Sequence, residues 1–99
     1  MANRIVIRDE AESDLDEAYA WYEEQREGLG DEFLACVRQC FRLIGLRPAL
    51  HPMVHRHFRR ALVKRFPYVV FYHVDRRVVT IHAVFHQARD PKIWSKRLG

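Results

Sequence analysis

The chain has 99 residues, 48% of them hydrophobic, and a formal net charge of +4; that suits one small domain burying about 60 to 65% of its unfolded surface. No apolar run reaches membrane length. The opening Met-Ala-Asn-Arg leads straight into a strand-like segment without the apolar stretch of a signal peptide, so the sequence predicts a cytoplasmic protein with no membrane partner. The charge is divided: residues 1–46 carry 5 basic and 11 acidic residues, a net of −6, whereas residues 47–99 carry 12 and 2, a net of +10, with all six histidines. A basic half of this kind favours an anionic partner, nucleic acid or an acidic protein segment, against the plainer reading of a solvated surface whose two halves attract each other.

In chain order, Arg4 to Arg8 is short and β-branched, as expected of a first strand. Asp9, followed three residues later by Glu12, resembles a capping box and predicts a helix from about Glu10 to Glu27. Its inward stripe is Ala11, Leu15, Ala18 and Tyr22, its acidic surplus is solvated, and Tyr19 and Trp21 extend the aromatic packing. Gly28-Leu29-Gly30 ends it, and Asp31 caps a second helix that runs to about Leu46, where Gly45 and Pro48 stop it. The short link predicts an antiparallel helical hairpin. On the second helix Phe33, Val37, Cys40 or Phe41, and Ile44 face inward, widened by Leu34 and Cys36. Cys36 and Cys40 are the only cysteines. Four residues apart on a helix, their Cβ atoms lie ~5 to 6 Å apart, beyond the ~3.5 to 4.5 Å of a disulfide, so they read as free thiols.

Pro48 to His57, with two prolines and three histidines, predicts an irregular connector. His51, His55 and His57 read as solvent-exposed side chains rather than metal ligands, having no cysteine or acidic residue near them in sequence. No metal and no cofactor is expected. Phe58 to Val63 or Lys64 predicts a strand with Arg60 and Leu62 on one face and Arg59, Ala61 and Val63 on the other. Tyr68 to Val74 predicts a strand buried on both faces. Asp75-Arg76-Arg77 is long enough for a hairpin loop although it lacks the Asn-Gly or Asp-Gly pair, so Val78 to His86 pairs antiparallel with it. Period two places Val79, Ile81, Ala83 and Phe85 in one apolar row and Thr80, His82 and His86 on the opposite face. Pro91 keeps Asp90 out of a helix, and Trp94 follows. The order β-α-α-β-β-β gives an α+β domain, a helical hairpin on a twisted sheet of about four strands.

That order, with R-F-P-Y-V-V-F-Y-H-V and I-H-A-V-F-H-Q-A-R-D-P, resembles the RelE/ParE family of bacterial type II toxins, and the resemblance covers nearly the whole chain. It implies a toxin that arrests growth and is held inactive in a hetero-oligomer by a cognate antitoxin. RelE-like members cleave mRNA in the ribosomal A site, whereas ParE-like members inhibit DNA gyrase. Where RelE-like members tend to carry a catalytic Arg after Tyr68, this chain has Val69, which counts against ribonuclease activity. The R-F-P-Y and V-F-H-Q-A-R-D-P forms are closer to the ParE-like branch, so the resemblance favours gyrase as target. A nuclease would use His86, Arg89, Arg60 and Trp94. The wider set of target- or antitoxin-binding candidates is Arg60, Lys64, Arg65, Tyr72, His82, His86, Arg89 and Trp94. A third reading is a non-toxic binding module that holds nucleic acid through its basic strands.

Overall fold

The computed structural model describes residues 2–99. β1 (Arg4–Ile7) is followed by α1 (Asp9–Gln25) and α2 (Leu29–Leu46), a 3-10 turn at Pro48–Leu50, then β2 (Met53–His55), β3 (Phe58–Leu62), β4 (Tyr68–Asp75), β5 (Val78–His86) and α3 (Pro91–Leu98). The fold is α+β, as expected. Its sheet has five strands in the order β1-β5-β4-β3-β2, with β1 parallel to β5 and the other pairs antiparallel. The fifth strand, β2, lies inside the stretch expected to be irregular. It is a three-residue edge strand with a register shift, which two prolines and three histidines conceal in the sequence.

Two apolar layers enclose the sheet. On one side Ala11, Ala18 and Tyr22 of α1 and Phe33, Val37, Cys40 and Ile44 of α2 meet Ala61, Val70, Tyr72, Val79, Ile81 and Val84. On the other, Phe58, Val69, Phe71, Ala83 and Phe85 are covered by Leu98 and Trp94 of α3. The centre of β4, Val69 to Tyr72, is therefore buried on both faces, whereas Val74 at its end is exposed.

The single apolar row expected on β5 does not form. Phe71 pairs with Ala83 and Tyr72 with Ile81, so His82 is an extra residue in the ladder, a β-bulge. It flips the alternation: Val79 and Ile81 face the helical hairpin, Ala83 and Phe85 face α3, and Val84 returns to the hairpin side.

The helix termini differ from the expected caps. Asp9 is the first residue of α1 rather than its cap; Arg8 holds the cap position with no side-chain bond, and α1 ends at Gln25. Asp31 lies inside α2, which begins at Leu29 behind Gly28 in the left-handed region, φ 88°. The start of α2 is capped from α1, because the Glu23 carboxylate accepts the Gly30 N–H at 2.8 Å and the Gly28 N–H at 3.3 Å. This close approach requires a glycine, since a Cβ on Gly30 would lie 2.7 Å from the Tyr19 ring. The unexpected α3 begins with Asp90 as N-cap, its side chain accepting the Lys92 N–H at 2.9 Å, and Pro91 in the first turn.

Candidate functional site

The bulge positions the site. At the far end of β5, beyond the last residue of β1, the Val84 N–H is accepted by Asp14 Oδ2 at 3.0 Å, which draws α1 across the strand. Between α1 and this strand end lies a cleft of about 230 Å³ lined by Asp14, Glu17, Trp21, Tyr68, His86 and Arg89. Trp21, expected to be structural, is 54% exposed and forms one wall. Tyr68 and His86 are partners across β4 and β5, their rings edge to face at 5.5 Å. Burial is the main cause that raises the Tyr68 phenol above its ordinary value, with Arg89 opposing and Glu17 adding to the shift. The Arg89 guanidinium lies over the Phe85 ring at 4.8 Å.

His86 is exposed and its Nδ1 accepts the Ala88 N–H at 3.0 Å. That bond occupies Nδ1 of the ring with a backbone amide of the same turn. Asp14 in the cleft wall is already paired with Arg97, which leaves Glu17 beside the single guanidinium of Arg89, a poor setting for the pentacoordinate phosphate of RNA cleavage, which needs several cations around it.

The remaining candidates lie elsewhere. Arg60 and Lys64 border an apolar groove with His51, Pro52, Val54 and Leu62. Arg65 is paired with Glu32 at 3.3 Å, an exposed ion pair of the kind that contributes little. Tyr72 is fully enclosed, its hydroxyl donates to the Pro48 carbonyl, and burial pushes its phenol up to about 12, so it presents nothing to a partner. His82 turns to the α3 side of the sheet, where its Nε2 meets His73 Nδ1 at 2.7 Å; burial first, then His73, hold it down at about 4. Trp94 stacks on Phe71 at 5.0 Å and closes that layer. Of the four residues a nuclease would use, only His86 and Arg89 share a cleft.

Sequence reasoning missed a second surface. The groove between α2 and β3, lined by Cys36, Gln39, Leu43, His51, Leu62 and Lys64, is mostly apolar. Leu43 and Leu62 in this groove, and Leu46, Leu50 and Met53 on the neighbouring segments, are each about half exposed or more, and exposed apolar side chains gathered on one part of a surface mark a protein-binding face. Helical period alone shows Leu43 and Leu46 off the inward stripe, which was the available signal. The histidines nearby are less exposed than expected: only His57 is open to solvent, and His55 Nε2 is buried without a partner among the described residues. Among the described residues, no group of three or more His, Cys, Asp or Glu is placed to hold a metal ion, and no helix is long and apolar enough to cross a membrane.

The fold is that of a small α+β domain, a five-stranded sheet covered by a helical hairpin on one face and by α3 on the other. The family description "ParE toxin of type II toxin-antitoxin system, parDE" matches residues 5–91, and the chain belongs to that family. Among solved structures it is similar to a chromosomal ParDE toxin-antitoxin system from P. aeruginosa, with a TM-score of 0.76 and 15% identity over 86% of this chain and 96% of that one. No curated protein matches it.

Proposed function

We propose that the chain acts on DNA gyrase, trapping the cleaved-DNA state by binding alone, and that a cognate antitoxin silences it from the groove between α2 and β3. Membership of the ParE family over residues 5–91 carries the gyrase reading. The scattering of the nuclease candidates supports it, because Arg60 and Trp94 lie outside the cleft that holds His86 and Arg89.

The antitoxin segment that fits the groove is amphipathic and acidic. Leu43, Leu46, Leu50, Met53 and Leu62 offer the apolar contact, Arg60 and Lys64 flank them, and β2 offers a free edge for strand addition. A complex whose antitoxin lies mainly on the acidic outer face of α1 would overturn this placement.

Expression of the chain alone is expected to halt growth and relax a reporter plasmid, with both effects reversed by antitoxin. Growth arrest with supercoiling intact and mRNA cut in translating extracts would instead support the nuclease.

A further inference from the structure

Four non-glycine residues have positive φ among the described residues, and all four are arginines: Arg56 at 51°, Arg65 at 71°, Arg76 at 49° and Arg77 at 68°. The β4–β5 hairpin is a two-residue turn with positive φ at both central positions, the conformation in which Asn-Gly is preferred. Local backbone energetics favour glycine or asparagine at each of these places. Arg65 has Glu32 as a partner. Arg56, Arg76 and Arg77 have no ion pair among the described residues, so no contact within the fold accounts for their charge.

Register brings them to one end of the sheet. Arg4 pairs with Val78 and its N–H donates to the Arg77 carbonyl at 3.0 Å, which sets the start of β1 beside the β4–β5 turn. The His57 ring meets His73 near the end of β4, which sets the Arg56-His57 turn on the other side. The Asn3 N–H donates to the Gly45 carbonyl at 2.8 Å, so the end of α2, with Arg47, lies there as well. Arg4, Arg47, Arg56, Arg76 and Arg77 are all exposed, and Asp75 is the one carboxylate within these turns. With strands ~4.8 Å apart the row spans roughly 15 Å, enough to reach phosphates on both sides of a groove about 12 Å wide.

We infer that this arginine-tipped end of the sheet binds the phosphate backbone of nucleic acid without reading its sequence. Guanidinium groups are suited to phosphate oxygens, and short turns hold them forward of the domain with little backbone freedom. The acidic residues of the hairpin connection, Glu23, Glu24, Glu27, Asp31 and Glu32, lie at the opposite end of α1 and α2, so the molecule's field orients the arginine end toward a polyanion. The inference stands apart from the gyrase reading and holds whatever the toxin's protein target.

The test is fluorescence anisotropy of the purified full chain, without gyrase, against labelled duplex DNA and labelled RNA of equal length over a range of salt. Binding that weakens with salt, with a log-log slope of about −3 to −4, is expected. The double variant Arg76→Asn/Arg77→Gly is expected to lose ~tenfold in affinity and about two units of slope, while its melting temperature holds or rises, which separates a lost site from a lost fold. Tighter binding in one arm assigns DNA or RNA as the source of the phosphates. Absence of salt-dependent binding in both arms, or a double variant that binds as the parent does, would overturn the inference. Polyglutamate that displaces the labelled strand more effectively than unlabelled nucleic acid at equal charge concentration would overturn it in favour of an acidic protein segment.

Discussion

Asp14 and Arg97 are joined across 83 residues of sequence by two hydrogen bonds, from Nη1 to Oδ2 at 3.0 Å and from Nη2 to Oδ1 at 3.1 Å. The same Oδ2 accepts the Val84 N–H at 3.0 Å, and Nη1 also reaches the His82 carbonyl at 3.3 Å. One ion pair thus holds α1, the β5 bulge and α3 together and satisfies the backbone groups left open where β1 ends.

Because the Asp14 side chain is 9% exposed and that of Arg97 27%, removing one partner leaves a poorly solvated charge. Asp14→Ala is expected to destabilise the domain by about 3 kcal/mol, since it also orphans the Val84 amide. Arg97→Met leaves Asp14 still serving that amide and is expected to cost less, about 1 to 2 kcal/mol. Urea unfolding of the two variants beside the parent checks both the size and the order.

The β4–β5 turn gives the opposite sign. Replacing Arg76 and Arg77, at φ 49° and 68°, by Asn and Gly relieves left-handed strain. The expected gain is about 1 kcal/mol, read as a higher urea midpoint with an unchanged slope.

Stability should fall in mild acid. His82 is held at about 4 in the fold against roughly 6.5 in the unfolded chain. The unfolded state therefore binds the proton first, and stability present above pH ~6.5 is lost between there and pH ~4. His73 and His57 oppose its protonation, as does Arg8, while Glu10 favours it, and His73 is itself lowered by burial. After solvent screening of a half-buried group the loss is on the order of 1 to 2 kcal/mol. Urea midpoints measured across that range should slope upward with pH in the parent and flatten in His82→Gln.

Much of this fold was legible from chain-local signals. The stripe Ala11, Ala18 and Tyr22, the stripe Phe33, Val37 and Ile44, and the β-branched runs of β4 and β5 identified the hairpin and the central strands. What escaped was set by tertiary partners. The bulge at His82 depends on Asp14, seventy residues from Val84 in sequence, and β2 becomes a strand only because β3 offers it an edge. The cap of α2 is Glu23, not the nearby Asp31. The helix α3 does carry a local signal, Asp90-Pro91, a capping residue before a first-turn proline. For the site, His86 and Arg89 at the strand end were found, but Trp21 and Glu17 opposite them depend on how α1 crosses the sheet.

The two cysteines report on the groove between α2 and β3. Cys40 is 6% exposed, its Sγ lies 3.6 Å from the Leu62 carbonyl, and burial pushes its thiol up to about 11. A thiol reagent at neutral pH is expected to modify half-buried Cys36 in the folded chain and Cys40 only on unfolding. Bound antitoxin should slow the Cys36 reaction by an order of magnitude or more (~tenfold) if its segment covers the groove. An unchanged rate in the complex would place the antitoxin elsewhere.

The most direct measurement is gyrase supercoiling by the purified, folded chain, scored for both lost supercoiling and accumulated linear DNA. Supercoiling that falls while linear DNA accumulates, with antitoxin reversing both, is the predicted result. Full supercoiling at a large excess of folded chain, with no linear product, would contradict gyrase as the target.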